Sequence, residues 1–331
     1  MIPKRKSVHL RFFAAPLELF MNVFYSDCFV LPLPAGHRFP MQKYRLLRER
    51  VQAELSGIEL HEAPPACADE LALVHDGQYI DRIVVGKFDA AQEKLIGFPW
   101  SPRMVERSRR SVGATVAACR RALDEAVAVN LAGGTHHAYA GHGEGFCVFN
   151  DAAVAARVLQ RDAGGAPHLF PVAIVDLDVH QGNGTASIFA NDSSVFTLSL
   201  HGERNYPFRK ERSDLDIALP DGCDDSTYLA ALDEALAQLF ERQQPRLIIY
   251  LAGADPHHDD RLGRLALSMA GLARRDALVF DAAATRGIPV AVTMAGGYGR
   301  DIDQTVDVHV QTVQLAAAHH RRMNGARPAM G

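Results

Sequence analysis

Asp178 and His180 stand two residues apart, just past the apolar run Val172–Val175. In an extended chain, residues i and i+2 share a face, so both side chains point the same way. Asp255 follows a second apolar run, Leu247–Leu251, through Ala252-Gly253-Ala254, and offers a third ligand-type group. Two carboxylates and one imidazole make a mixed oxygen and nitrogen set with room for water. That is the donor pattern of an open catalytic zinc rather than a closed structural one. A metal held this way polarises a carbonyl and acidifies its water. An isolated Asp-x-His more often only caps the helix that follows. Here the capping explanation must also account for three further polar clusters.

His136 and His137 come directly after Gly133-Gly134-Thr135. Glycines let the backbone approach a ligand closely. An imidazole takes and returns protons near neutral pH, and a second one beside it lends electrostatic support. Tyr298 sits between glycines in Gly296-Gly297-Tyr298-Gly299, where its O–H could serve an oxyanion. The alternative is a tight turn with no chemistry. His257 and His258 read as surface histidines. Asp259 and Asp260 read as solvated loop charges that could meet a cationic substrate.

The elements that must hold these groups are legible from periodicity. Ala128–Leu131, Val172–Val175, Val195–Leu200, Leu247–Leu251 and Ile288–Met294 read as parallel strands buried on both faces, and Met21–Tyr25 as a first strand. Helical patterns lie between them. One starts at Ser101, with Pro102 as its first helical residue, and runs to about Val127; others follow Asn150, Ser226, Ser268 and Asp301. Residues 29–94 are more mixed and are expected to pack helices against one sheet edge. Such alternation predicts a single α/β domain, a mainly parallel open sheet with helices on both faces. From Ala128 onward every strand but Val195–Leu200 ends in a polar, glycine-rich cluster. Ligands of open α/β sheets bind at the carboxyl ends of the strands, so four clusters converge on one place.

A formal net charge of -4 gives no global attraction to nucleic acid or to an anionic membrane, and neither is expected as a partner. A cationic, histone-like substrate would need a local acidic rim. The five cysteines, Cys28, Cys67, Cys119, Cys147 and Cys223, are odd in number and form no C-x-x-C pair. This argues against a disulfide framework and a structural zinc knuckle and fits a reducing cytoplasm. Cys147 reads as a small packing residue. No apolar run reaches the length of a membrane span. Residues 1–20 are basic and read as a disordered extension, 21–320 as the catalytic domain and 321–331 as a flexible tail.

The stretches G-G-T-H-H, G-E-G-F-C, D-L-D-V-H-Q-G-N-G, A-G-A-D and G-G-Y occur here in the order seen in the histone deacetylase family. The resemblance runs from about Tyr25 to about Val310. His-Gln-Gly-Asn-Gly and Gly36-His37-Arg38-Phe39-Pro40-Met41 look most like the class IV branch and its bacterial relatives. The resemblance implies an arginase/deacetylase-like fold and zinc-dependent hydrolysis of an N-acyl-lysine amide. It implies zinc on Asp178, His180 and Asp255, His137 as general base and acid, His136 as its electrostatic partner, and Asp176 behind His136. Tyr298 would polarise the carbonyl. Gly145 and Phe146 would line the acyl-lysine tunnel, with Leu262 and Tyr206 opposite. A potassium ion would sit near Asp176, Asp178, His180, Ser199 and Leu200. Two positions depart from the pattern: Asn183 stands where many members have Asp, and Ala295 where several have a third glycine. Asn183 can still accept a hydrogen bond from His137 but brings no negative charge. The rival readings are a deacetylase of a small amine such as an acetylpolyamine, and an inactive module that binds acyl-lysine or a partner.

Overall fold

The computed structural model describes residues 20–87 and 89–325. Eight strands form one sheet: β1 (Met21–Tyr25), β2 (Ile58–Glu62), β3 (Val127–Asn130), β4 (Val172–Asp176), β5 (Val195–Gly202), β6 (Leu215–Leu219), β7 (Leu247–Leu251) and β8 (Val290–Thr293). Their order is β2-β1-β3-β8-β7-β4-β5-β6, and all neighbours are parallel. Among the described residues ten α-helices accompany them: α1 (Lys43–Glu54), α2 (Ala68–Leu71), α3 (Gly77–Val85), α4 (Ala90–Ile96), α5 (Pro102–Glu125), α6 (Asp151–Asp162), α7 (Asn183–Phe189), α8 (Asp225–Arg242), α9 (Met269–Ala284) and α10 (Ile302–Gly325). No helix among the described residues is long and apolar enough to cross a membrane.

Strand alternation divides the interior into two cores. Val127, Val129, Ile248, Tyr250, Val290 and Val292 face α8, α9 and α10 on one side. Ala128, Leu247, Ile249, Leu251 and Ala291 face α5 and α6 on the other. Burial on both faces explains the continuous apolar runs of the central strands. The outer strands β2, Ile-Glu-Leu-His-Glu, and β6, Leu-Asp-Ile-Ala-Leu, interleave polar residues and so form no continuous apolar run. Thus β2 falls inside the mixed segment 29–94 as an edge strand.

Helix starts follow side-chain caps. Ser101 accepts from Met104 N, Asn150 from Ala153 N and Ser268 from Gly271 N. Before α8 the cap is Asp224 rather than Ser226, and its side chain accepts from Thr227 N. The last helix, α10, continues to Gly325, past the boundary expected at residue 320; Arg322 pairs with Asp281, and Asn324 Nδ2 donates to Glu125 O. The expected N-terminal extension lies outside the described residues except for Phe20, as do residues 326–331.

The strand order places the chemistry. After β3 the chain does not continue to a neighbour; β4 starts three places along, and β7 and β8 later fill the gap. The loops after β3, β8, β7 and β4 therefore leave four adjacent carboxyl ends. Asp151, in the first turn of α6, fastens the first of them. Its carboxylate accepts from Gly134 N at 3.0 Å, Thr135 N at 2.7 Å, Thr135 Oγ1 at 2.8 Å and Thr115 Oγ1 at 2.6 Å, and it is fully buried. Asp151→Ala leaves the buried amides of Gly134 and Thr135 without their acceptor. A loss of about 3 kcal/mol is expected from denaturant titration.

Candidate active site

Asp178, His180 and Asp255 meet where the loops after β4 and β7 come together. Their ligand atoms lie within 4.8 Å of one another, and among the described residues this is the one trio of His, Cys, Asp and Glu so arranged. All three are buried. Backbone amides hold the carboxylates in place: His180 N donates to Asp178 Oδ1 at 2.9 Å, Gly296 N to Asp178 Oδ2 at 2.7 Å and Val179 N to Asp255 Oδ1 at 2.9 Å. Asp255 Oδ2 is buried and accepts no hydrogen bond. A Cβ at Gly296 would collide with that oxygen, and one at Gly253 would come within 2.7 Å of Asp255 Oδ1. Here glycine is required because a carboxylate occupies the space. Burial, then the charge of Asp178, raises the Asp255 carboxyl to about 7 despite its contact with His180. An orphaned carboxylate oxygen, an adjacent carboxylate and an imidazole fit a divalent cation. Asp176 lies opposite Ser199 in the β4–β5 register, with Leu200 next along β5.

The two histidines of the β3 loop have different environments. His136 Nδ1 lies 2.6 Å from Asp176 Oδ2. Burial opposes charge on this ring, but Asp176 and Asp178 outweigh it and hold its pKa up at about 9. For His137, burial and then His136 and His180 push the pKa well below the ordinary imidazole range. Its tautomer follows from hydrogen-bond chemistry. Asn183 Nδ2 lies 2.6 Å from Glu144 Oε1, and a carboxylate only accepts, so the amide nitrogen must face Glu144. Asn183 Oδ1 therefore faces His137 Nδ1 at 2.6 Å and accepts its proton. That leaves Nε2 as the free base.

Tyr298 is reached from β8 through Ala295, Gly296 and Gly297. Ala295 has φ 50°, a left-handed conformation that costs an alanine about 1 kcal/mol and that the glycine of several relatives would adopt freely. Its Cα is packed against Gly134, so the β3 and β8 loops touch backbone to backbone. Asp260, expected to be a solvated charge, is instead buried. It accepts from Tyr298 N at 2.6 Å and from Leu262 N and Gly263 N at 2.8 Å, and so fixes the tyrosine's backbone. His257 is likewise buried rather than at the surface. Burial, then Asp178 and Asp255, raises the Tyr298 hydroxyl well above its ordinary range, so it stays a neutral donor. Burial also pushes the Cys147 thiol up, in keeping with a packing role.

Gly145, Phe146, Tyr206 and Leu262 line one cleft of about 820 Å3 together with His137, His180 and Tyr298. A Cβ at Gly145 would stand 2.6 Å from His137 Cδ2, and its φ is 56°, so glycine serves both closeness and turn. Tyr206 belongs to the loop after β5, the one central strand whose sequence shows no glycine cluster. Its hydroxyl donates to Glu144 at 2.7 Å, and its ring meets His137 edge-on at 5.0 Å. Glu144 was not singled out in the sequence, although it lies inside Gly-Glu-Gly-Phe-Cys; a charged residue between two glycines was the available signal. Donors from His142, Tyr206 and Asn183 lower its pKa against the effect of burial, so a carboxylate stands one hydrogen bond behind the uncharged Asn183. The acidic rim that a cationic, histone-like substrate would need is not found among the described residues: Asp260 is the one acid lining the cleft there, and its oxygens face backbone amides.

Residues 37–313 match the family defined by the histone deacetylase domain. An uncharacterized protein of Picosynechococcus is 43% identical over 291 residues, covering 87% of this chain and 95% of its own. The histone deacetylase-like amidohydrolase of Pseudomonas aeruginosa is 30% identical, covering 81% of this chain and 74% of its own. The crystal structure of a histone deacetylase homologue complexed with SAHA superposes with a TM-score of 0.76 at 24% identity, over 90% of this chain and 84% of that one, a likeness of fold. The chain therefore belongs to the histone deacetylase family of hydrolases.

Proposed function

We propose that this chain hydrolyses the amide of an N-acyl-lysine in a protein or peptide and depends on zinc held by Asp178, His180 and Asp255. The observation that carries this reading is the buried trio, whose His180 lines one cleft together with a free-base histidine and a neutral tyrosine. Zinc bound there would supply Lewis acidity to the carbonyl and acidify water. His137 Nε2 takes a proton from the attacking water as the water oxygen bonds to the carbonyl carbon. Tyr298 donates its hydroxyl to the oxyanion that forms. The C–N bond then breaks, and the proton on His137 passes to the leaving amine. His136, paired with Asp176, keeps positive charge next to the reacting centre. Gly145, Phe146, Tyr206 and Leu262 surround the lysine stem. Potassium near Asp176, Asp178, His180, Ser199 and Leu200 is part of the same proposal. Turnover of a panel of acyl-lysine peptides and acetylated polyamines by zinc-loaded protein tests the assignment.

Three outcomes are expected. Asp255→Ala should lose bound zinc by elemental analysis and activity with it. Retention of full zinc content would show that the ligand set is misassigned. Tyr298→Phe should keep its melting temperature and zinc, yet fall about a hundredfold or more in kcat. Asn183→Asp should move the acidic limb of kcat/KM to higher pH. A charge beside His137 stabilises the imidazolium, so less free base remains at a given pH. Glu144, 2.6 Å from Asn183 Nδ2, repels the new carboxylate, so the shift should grow when Glu144→Gln is added. A pH–rate profile of the variants measures both effects.

A further inference from the structure

The cleft above the tunnel is lined by Arg38, Lys94, Arg204, Arg261, Arg264 and Arg300. These cations arrive from five separate segments: the stretch before α1, the helix α4, and the loops after β5, β7 and β8. All are exposed. Three carboxylates lie among them. Asp260 is held by backbone amides, Asp221 is shared by Arg264 at 3.2 Å and Arg204 at 3.9 Å, and Asp259 lies 3.6 Å from Arg300. Exposed pairs of this sort are weak and leave the guanidinium groups open to other anions. Among the described residues Arg38, Lys94 and Arg261 form no ion pair with a carboxylate. Six cations against three carboxylates give the rim a positive excess, although the whole chain is formally -4.

We propose that the substrate carries anionic groups on the amine side of the scissile amide, such as carboxylates or phosphates that seat on this rim. The inference rests on the acyl-amine hydrolase reading. It names the substrate class as an acylated amine with acidic surroundings, of which an acyl-lysine flanked by Asp or Glu is the peptide form. A cleft with low-dielectric walls focuses its field and concentrates ligands of opposite charge. The same field opposes a basic tail or a polyamine, whose remaining amines would face the guanidinium groups.

The test uses the zinc-loaded full chain at low salt with acetyl-lysine peptides flanked on both sides by Asp, Ser or Lys. Two small substrates accompany them, an acetylated polyamine and an acetylated aminoalkyl phosphate. The expected order of kcat/KM is Asp over Ser over Lys, about tenfold per step and carried by KM, narrowing as salt rises to about 0.5 M. Arg264 and Arg300 have side chains 55% and 67% exposed, so an Arg264→Glu, Arg300→Glu double variant should keep its fold and invert the order. If the phosphate is preferred to the Asp peptide, the anion belongs to a small molecule and the rim reading stands. An unchanged rate across flanks, or preference for Lys flanks or the polyamine, overturns it. Turnover of none of the five overturns the hydrolase reading instead. The rim is then judged by fluorescence anisotropy of labelled, unacylated Asp-flanked and Lys-flanked peptides; tighter Asp binding supports it and equal binding overturns it.

Discussion

Two carboxylates brought together out of water are unstable by themselves. Asp178 and Asp255 share one buried region, and the burial and mutual repulsion that raise the Asp255 carboxyl to about 7 register that cost. The fold supplies partial compensation through backbone amides from Val179, His180 and Gly296 and the imidazole of His180. One oxygen is still left without a donor. In the proposed function a cation completes the set, and binding it is coupled to releasing protons from its ligands. Much of the surrounding architecture, including glycines at positions 253 and 296 where a side chain would collide, follows from making room for these charges.

Each group assigned a chemical role is fixed by a partner from elsewhere in the chain. Asp176 holds His136, Asn183 and Glu144 set the tautomer of His137, and Asp260 holds the backbone of Tyr298. Behind the β7 loop, the fully buried Arg275 pairs with Asp276 and donates to the Gly253 carbonyl. Such groups act on geometry and protonation without touching a substrate, and errors of an ångström at this level are costly to catalysis.

Charge is sorted by depth. The buried end of the cleft presents the imidazoles of His137 and His180, with the carboxylates of Asp178 and Asp255 beside His180, while its mouth collects arginines and a lysine. In the proposed function the buried end acts on the acyl group, and the mouth meets whatever the amine is attached to. Because the mouth is built by exposed residues on five segments, most of them loops, its charge is free to vary without disturbing the buried trio.

The central strands were legible because they are buried on both faces and so appear as unbroken apolar runs; β2 and β6 were not, because their residues alternate. Ser101, Asn150 and Ser268 declared their helices because a cap is a local hydrogen bond. The glycine-flanked clusters on Asp178, His180, Asp255, His136, His137 and Tyr298 were visible as residue types that fit no packing purpose. Local sequence could not decide what depends on separate segments meeting. The insertion of β7 and β8 between β3 and β4 makes the four clusters neighbours. The folding of the β5 loop carries Tyr206 to Glu144. The approach of Asp260 to Tyr298 N turns an apparent surface acid into a buried support. The rim is the sharpest case: its six cations are scattered from residue 38 to residue 300 in a chain of net negative charge, and electrostatic potential depends on distance in space rather than along the chain.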